Sequence, residues 1–284
     1  MSRIAVITDT NSSMTQEEAD RLGVYLVPMP FMVDGKEYFE GVDCTYEQFF
    51  AMLAGGGDVS TSQPSPDAVT TLWDRVLEEY DAIIHIPMSS ALSSSCATAK
   101  ALAAEYEGRV FVADNKRISI SQRESVLDAL TMIGQGMEAA DICAKLEAEA
   151  FASSIYLAVN TLDLLKKSGR VTAAGAAVAA VLGIKPVLQI QGEKLDAFAK
   201  VRGMANAEKT MLNAAKKDLE SRFAGKSVRI LTAYSGEDSV GTDWVKKVQE
   251  FFGDDTVELY QLPISICCHV GAGVKGIGIV EYVK

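Results

Sequence analysis

Runs of β-branched and other apolar residues alternate with stretches of helical periodicity through the first half of the chain. Strands are predicted at Ile4–Ile7, Tyr25–Val27, Ala82–Ile86 and Val110–Val112. Helices are predicted from Gln16, over Tyr46–Leu53, Pro66–Glu79 and Cys96–Glu105, and within Ser121–Ile133 and Asp141–Ala152. Strand and helix in alternation argue for a mainly parallel sheet covered by helices. Several helix starts carry their own signal. Thr15-Gln16-Glu17-Glu18 and Thr45-Tyr46-Glu47-Gln48 read as capping boxes, and Ser65-Pro66 sets an N-cap before a proline at the first helical position.

The second half opens with a strand at Ile155–Val159, a short helix at Leu162–Lys167 and an alanine-rich helix after Val171. A hairpin is predicted next, with Pro186–Ile190 turning through Gln191-Gly192-Glu193 into Leu195–Val201. A long amphipathic helix (Asn206–Arg222), a strand (Val228–Ala233), a helix (Thr242–Phe252) and strands at Val257–Leu262 and Ile277–Tyr282 complete the pattern. A hairpin among parallel-looking units implies a mixed sheet. The expectation is an α/β protein of two domains: residues 1–155, a Rossmann-like and mainly parallel unit, and residues 156–284, a mixed sheet with helices. No Pro/Gly/Ser linker marks the boundary, and there are no internal repeats.

Composition narrows the classes of function. A chain of 284 residues, 48% hydrophobic and 23% charged, has ample material for a core and should bury about 73% of its extended surface. The net charge of −11 leaves no basic field for a nucleic acid or an anionic membrane surface. Cys44, Cys96, Cys143, Cys267 and Cys268 are odd in number, lack metal-ligand spacing and follow no signal peptide, so reduced thiols in a cytoplasmic protein without a metal or cofactor are expected. The longest nearly apolar run, Val171–Ile184, is 14 residues of mostly Ala and Gly, short of the roughly 20 that span a bilayer.

In an open parallel sheet, ligands sit beyond the carboxyl ends of the strands. Those positions are rich in hydroxyls here: Thr8-Asp9-Thr10-Asn11-Ser12-Ser13 after the first strand, Thr61-Ser62-Gln63 before the helix at Pro66, and Ser89-Ser90-Ala91-Leu92-Ser93-Ser94-Ser95 after Ala82–Ile86. The last two lead into helix N-termini, so neutral donors and helix ends together suit a carboxylate or a single phosphate. As single residues, Ser and Thr are also ordinary turn and cap residues; their concentration after successive strands is the signal. Of two histidines, His85 reads as a satisfied buried strand residue. His269 opens a glycine-rich loop, His269-Val270-Gly271-Ala272-Gly273, where an imidazole can donate to a carboxylate.

Other matches fail on context. Gly271-Ala272-Gly273-Val274-Lys275-Gly276 fits GxGxxG, but no helix or distal acid can follow in eight residues. Gly225-Lys226-Ser227 lacks a P-loop's leading glycine, Glu220 standing there instead. No GxSxG elbow is present, which leaves a hydrolase built from Ser93, His269 and Asp9 or Asp114 as an alternative without a motif. The stretch Thr172–Gly183 has no large side chains, suiting either close helix packing or a narrow apolar channel. Arg170 and Arg202 each sit beside glycine at an element end, as solvated cations or as contacts to a carboxylate or a partner.

Taken in order, Ile7-Thr8-Asp9-Thr10, Thr61-Ser62-Gln63-Pro64, Ser89-Ser90-Ala91-Leu92-Ser93, Leu164-Leu165-Lys166-Lys167-Ser168-Gly169-Arg170, Ile184-Lys185-Pro186-Val187-Leu188, Lys200-Val201-Arg202-Gly203 and His269-Val270-Gly271-Ala272-Gly273 give a chain that resembles the DegV family of bacterial fatty-acid-binding proteins. The resemblance implies two α/β domains with one long-chain fatty acid in a buried tunnel between them. It implies that Thr61, Ser93 and His269 hold the carboxylate, with Ser62 and Ser94 beside them in the same loops. It also implies a carrier that presents its ligand to a separate fatty acid kinase, which makes an acyl phosphate for phospholipid synthesis. Arg170 and Gly271 would then lie near the pocket and Arg202 would face the kinase. The chain departs from the family's usual pattern at Ser94, Ser95, Val270 and Ala272. The alternative is a small-substrate enzyme, either a Ser/His hydrolase or a substrate-binding subunit like that of dihydroxyacetone kinase.

Overall fold

Alternating residues of the first strand face opposite cores, and this decides the architecture of the first half. In the computed structural model, which describes residues 2–173, 183–192 and 194–284, the chain divides into two compact units. Met1–Phe151 and Val283–Lys284 form one, and Ala152–Tyr282 the other. The first runs β1 (Ile4–Asp9), α1 (Gln16–Leu22), β2 (Val24–Val27), β3 (Pro30–Val33), β4 (Lys36–Phe39), α2 (Tyr46–Ala54) and β5 (Val59–Thr61). It continues through α3 (Pro66–Leu77), β6 (Ala82–Ile86), α4 (Ser95–Ala103), β7 (Val110–Val112), α5 (Ile120–Gly134) and α6 (Ala139–Ala148).

Strands β2-β1-β6-β7 form a parallel sheet in that order. Val6, Ile84 and Ile86 pack with Ala19 of α1, Val126 and Met132 of α5, and Ile142 of α6. Ala5, Ile7 and Ile83 pack on the other face with Val69 and Trp73 of α3 and Cys96 and Ala99 of α4. Helices thus cover both faces, and the central strands β1 and β6 are buried on both sides. The Thr45 box is complete, since Thr45 Oγ1 accepts from Gln48 N while Gln48 Oε1 accepts from Thr45 N. The box expected at Thr15 is half made: Thr15 Oγ1 caps Glu18 N, but the Glu18 carboxylate turns to the Arg123 guanidinium at 2.5 Å. A partly buried ion pair outcompetes a local bond to an exposed amide.

The three-stranded antiparallel sheet β4-β3-β5 was not part of the predicted pattern. Its hairpin turns on Asp34-Gly35, both at positive φ (52° and 80°), the backbone that a two-residue turn of type I′ demands.

The second unit runs β8 (Ser153–Ala158), α7 (Asp163–Ser168), β9 (Ile184–Ile190), β10 (Asp196–Arg202), α8 (Met204–Glu220) and β11 (Val228–Tyr234). It closes with α9 (Asp238–Phe252), β12 (Glu258–Gln261), α10 (Ile264–Val270) and β13 (Lys275–Glu281). The sheet is mixed, ordered β10-β9-β8-β13-β11-β12, with antiparallel pairs except β11–β12. The β9–β10 hairpin is present, although Glu193 of its turn lies outside the described residues. So does most of the predicted alanine-rich helix, at 174–182. Trp244 anchors the core, fully buried and donating Nε1–H to Gly276 O at 2.7 Å. No helix among the described residues is long and apolar enough to cross a membrane.

Candidate functional site

The sheet order puts β1 beside β6 while the chain leaves the two strands toward opposite edges, so a topological switch point lies at their carboxyl ends. Asp9 braces it. Its carboxylate accepts from Met88 N at 2.9 Å, Asn11 N at 3.1 Å and Gln122 Nε2 at 3.2 Å. Burial raises the Asp9 pKa against the pull of these bonds. Gln122 Nε2 also reaches Thr8 Oγ1 and Ile86 O, which ties α5 to both strand ends.

Beyond β6 the chain folds back into a tight serine loop. Ser89 N donates to Arg117 O at 2.9 Å, and Leu92 N and Ser93 N both donate to Ser89 O. Ser90 is clamped: its N and Oγ donate to Asp114, and Lys116 Nζ donates to both Ser90 Oγ and Asp114 Oδ2. Lys116 and Ser90, together with the Ser90 amide, hold the Asp114 carboxyl below its usual pKa despite burial. Ser95 N donates to Ser93 Oγ at 3.2 Å, so the half-buried Ser93 hydroxyl is oriented by the first turn of α4. Ser94, exposed, is the N-cap residue of α4 and makes no side-chain cap bond.

Thr61 ends β5, paired with Phe31 of β3, and is half-buried; Ser62 is exposed. Thr98 Oγ1 of α4 donates to Gln63 Oε1 at 3.2 Å, which fastens the Thr61–Pro64 loop to the helix that follows the serine loop. The two hydroxyl loops singled out in the sequence are therefore neighbours, joined through Gln63 of the first loop and Thr98, which the sequence did not single out.

In the second unit, Arg170, Arg202, His269 and Gly271 all belong to one end of the mixed sheet, because β8, β10, β11 and β12 end there and β9 and β13 begin there. His269 is not in a glycine loop as the sequence suggested. It occupies the last turn of α10, a helix of seven residues too rich in β-branched side chains to advertise itself. Burial first, and then the Arg170 charge, lower the imidazole pKa to about 4. The ring is thus neutral at pH 7 in the ligand-free protein, not the imidazolium best suited to a carboxylate. Arg170 follows Gly169, the left-handed cap of α7, and donates Nη1–H to Ser168 O at 2.7 Å. Arg202 is the exposed last residue of β10, paired with Ile184.

Two residues that the sequence reading passed over build the loop after His269. Ser235, fully buried, donates Oγ–H to Gly271 O at 2.7 Å and accepts from Val274 N at 3.0 Å, while its carbonyl accepts from Gly273 N. Asn160 Nδ2 donates to Ala272 O at 2.9 Å. A Cβ on Gly273 would stand 2.3 Å from Asn160 Nδ2, at φ +76°. Both residues follow strands, β11 and β8, so the rule used for the first half of the chain would have found them. His85 is buried as expected, but its Nδ1 has no hydrogen-bond partner. Among the described residues no group of three or more His, Cys, Asp and Glu could hold a metal ion.

A family model described as uncharacterised protein, DegV family, matches residues 3–282. A DegV domain-containing protein of Staphylococcus aureus is 30% identical over 287 aligned positions, covering 98% of this chain and 97% of that one. The fatty-acid-binding DegV family protein of Thermus thermophilus is 28% identical in sequence and superimposes with a TM-score of 0.87, over 98% of this chain and 99% of that one. The fatty-acid-binding DegV family protein of Streptococcus agalactiae superimposes equally well, TM-score 0.87, at 25% identity over the full length of both chains.

Proposed function

The chain belongs to the DegV family, and from that premise we propose that it binds one long-chain fatty acid and serves as a carrier, not a catalyst. The head group is taken by Thr61, Ser93 and His269, with Ser62 and Ser94 as further donors in the same loops. The bound acid is presented to a separate fatty acid kinase, which phosphorylates the carboxylate to an acyl phosphate for phospholipid synthesis. Arg202 meets the kinase, while Arg170 and Gly271 border the head group.

The observation that carries this reading is the pair of hydroxyl loops fastened together at Gln63–Thr98 beyond the parallel sheet, in a chain whose relatives at 28% and 25% identity bind fatty acid. The carboxylates that a Ser–His–Asp hydrolase would need support it too. Asp9 is engaged by Met88, Asn11 and Gln122, and Asp114 by Ser90 and Lys116. The charge acting on His269 is the Arg170 cation. Burial of a sixteen-carbon chain contributes about 11–12 kcal/mol gross at ~0.8 kcal/mol per methylene, the largest favourable contribution to set against an association cost of about 4 kcal/mol or more.

Denaturing solvent extraction of the purified protein, with mass spectrometry of the released lipid and native mass spectrometry for stoichiometry, tests the reading. One equivalent of long-chain fatty acid per chain is expected. A lipid-free protein that also takes up no added fatty acid would overturn it and favour a small-substrate enzyme.

A further inference from the structure

Behind the two hydroxyl loops, on the α3–α4 side of the parallel sheet, the first unit encloses a small cavity. Asp9, His85, Ser95 and Thr98 are among the residues that line it, and about 10 Å³ is open to the centre of a water molecule. Two of the lining side chains are more than nine-tenths buried and carry polar atoms with no hydrogen-bond partner: His85 Nδ1, in a residue 3% exposed, and Ser95 Oγ, in a residue 9% exposed. A buried polar atom left without a partner loses the hydrogen bond it had in water, so two in residues that line a single cavity call for a shared partner.

The walls define that partner. Burial holds the His85 imidazole at a pKa of about 3, so at neutral pH the ring is uncharged, with one N–H and one acceptor nitrogen. The Asp9 carboxyl on the wall disfavours an anion, and the volume sits at the threshold for one water and excludes anything larger. Thr98 spends its hydroxyl hydrogen on Gln63 Oε1 and so keeps lone pairs to accept a further bond.

We propose that this cavity is a resident water site: one buried water bridges His85 Nδ1 and Ser95 Oγ, with Thr98 Oγ1 as a third partner. The water accepts the Ser95 hydroxyl hydrogen and donates to His85 and Thr98. Its consequence reaches the loop above. Ser95 N holds Ser93 Oγ at 3.2 Å, so fixing Ser95 from beneath fixes the base on which the Ser93 hydroxyl rests. The water joins β6, through His85, to the first turn of α4 without any direct side-chain bond between them.

Crystal structures of the wild-type protein and of Ser95→Ala, at a resolution that shows ordered solvent, provide the test. The expected result is a full-occupancy water within about 2.7–3.2 Å of both His85 Nδ1 and Ser95 Oγ in the wild type. In Ser95→Ala that water should be lost or displaced, with α4 in place. In solution, nuclear Overhauser contacts between a long-lived water and His85 should be present in the wild type and absent from the variant. A dry cavity in the wild-type crystal overturns the proposal, as does a water that keeps its position and occupancy in Ser95→Ala.

Discussion

Ser93 presents its hydroxyl from a loop with little freedom. Its amide is bonded to Ser89 O, its Oγ accepts from Ser95 N, and Ser90 is pinned between Asp114 and Lys116. A hydroxyl whose lone pair is taken by an amide keeps its hydrogen for an incoming carboxylate. On the proposed reading, Ser93→Ala and His269→Ala each remove a hydrogen bond to a charge, worth about 1.5–3 kcal/mol, or roughly a ten- to 150-fold loss of affinity. Displacement of a fluorescent fatty acid measures this; unchanged affinity in both variants would exclude these residues as head-group ligands. His269 adds a proton to the account. Its ring is neutral at pH 7 because burial and Arg170 lower its pKa to about 4, and an adjacent carboxylate raises that pKa. Binding is therefore expected to take up a proton and to tighten as pH falls from 8 toward 5. Calorimetry in buffers of different ionisation enthalpy should register that uptake in the wild type and none in His269→Gln.

Short elements, not side chains, determine where these groups stand. The hairpin β3–β4 and its partner β5 deliver Thr61 to the edge of the serine loop, and that sheet exists because Asp34-Gly35 can adopt two consecutive positive φ angles. The sequence held this signal between apolar runs, but strands of three or four residues fall below the length at which periodicity is decisive. Helix α10 was missed for a related reason: seven residues span barely two turns, too few for helical periodicity to show. Helix α9 shows close packing dictating a residue. A Cβ on Gly241 would lie 2.5 Å from Cδ1 of the Tyr234 ring, whose hydroxyl is tethered to Asp238 Oδ1 at 2.6 Å. Gly→Ala in a helix ordinarily gains about 1 kcal/mol, whereas overpacking costs about 1–3 kcal/mol. Because the ring is held at both ends, Gly241→Ala is expected to lose about 1 kcal/mol net, read as a lower denaturant midpoint. A raised midpoint would show that the ring yields.

Across the molecule, buried titratable groups set the response to acid. His85 and His269 have pKa values lowered to about 3 and 4, so each contributes stability that is complete above about pH 6.5 and is lost as pH falls through that window. Asp128, raised to about 6 by burial, acts with the opposite sign: the native state gains from it only as pH falls from about 6 toward 4. Asp9, raised by burial, shares the sign of Asp128, so the histidine contribution is read by difference: on acidification from pH 7.5 to 5 the wild type is expected to lose more melting temperature than His85→Gln. Below pH 6 the histidines of the unfolded chain are mostly charged, so the loss per unit of pH is largest there and Asp128 offsets only part of it. Thermal melts at half-unit steps test the assignment; equal slopes for wild type and His85→Gln below pH 6.5 would remove His85 from the account.

Local chemistry was legible in the chain itself. The parallel α/β character followed from the alternation of apolar runs and helices, the Thr45 and Ser65 caps from their spacing, and the hydroxyl loops from their place after strands. Each depends on neighbours within a few residues, for which the sequence is the whole environment. What needed the folded chain was contact between distant residues. Glu18 leaves its capping box for Arg123, Gln63 meets Thr98, Ser235 and Asn160 shape the loop after His269, and His85 and Ser95 line one cavity. The cost of burying a polar group is settled by partners that lie many residues away in sequence, and only the tertiary structure brings them within hydrogen-bonding distance.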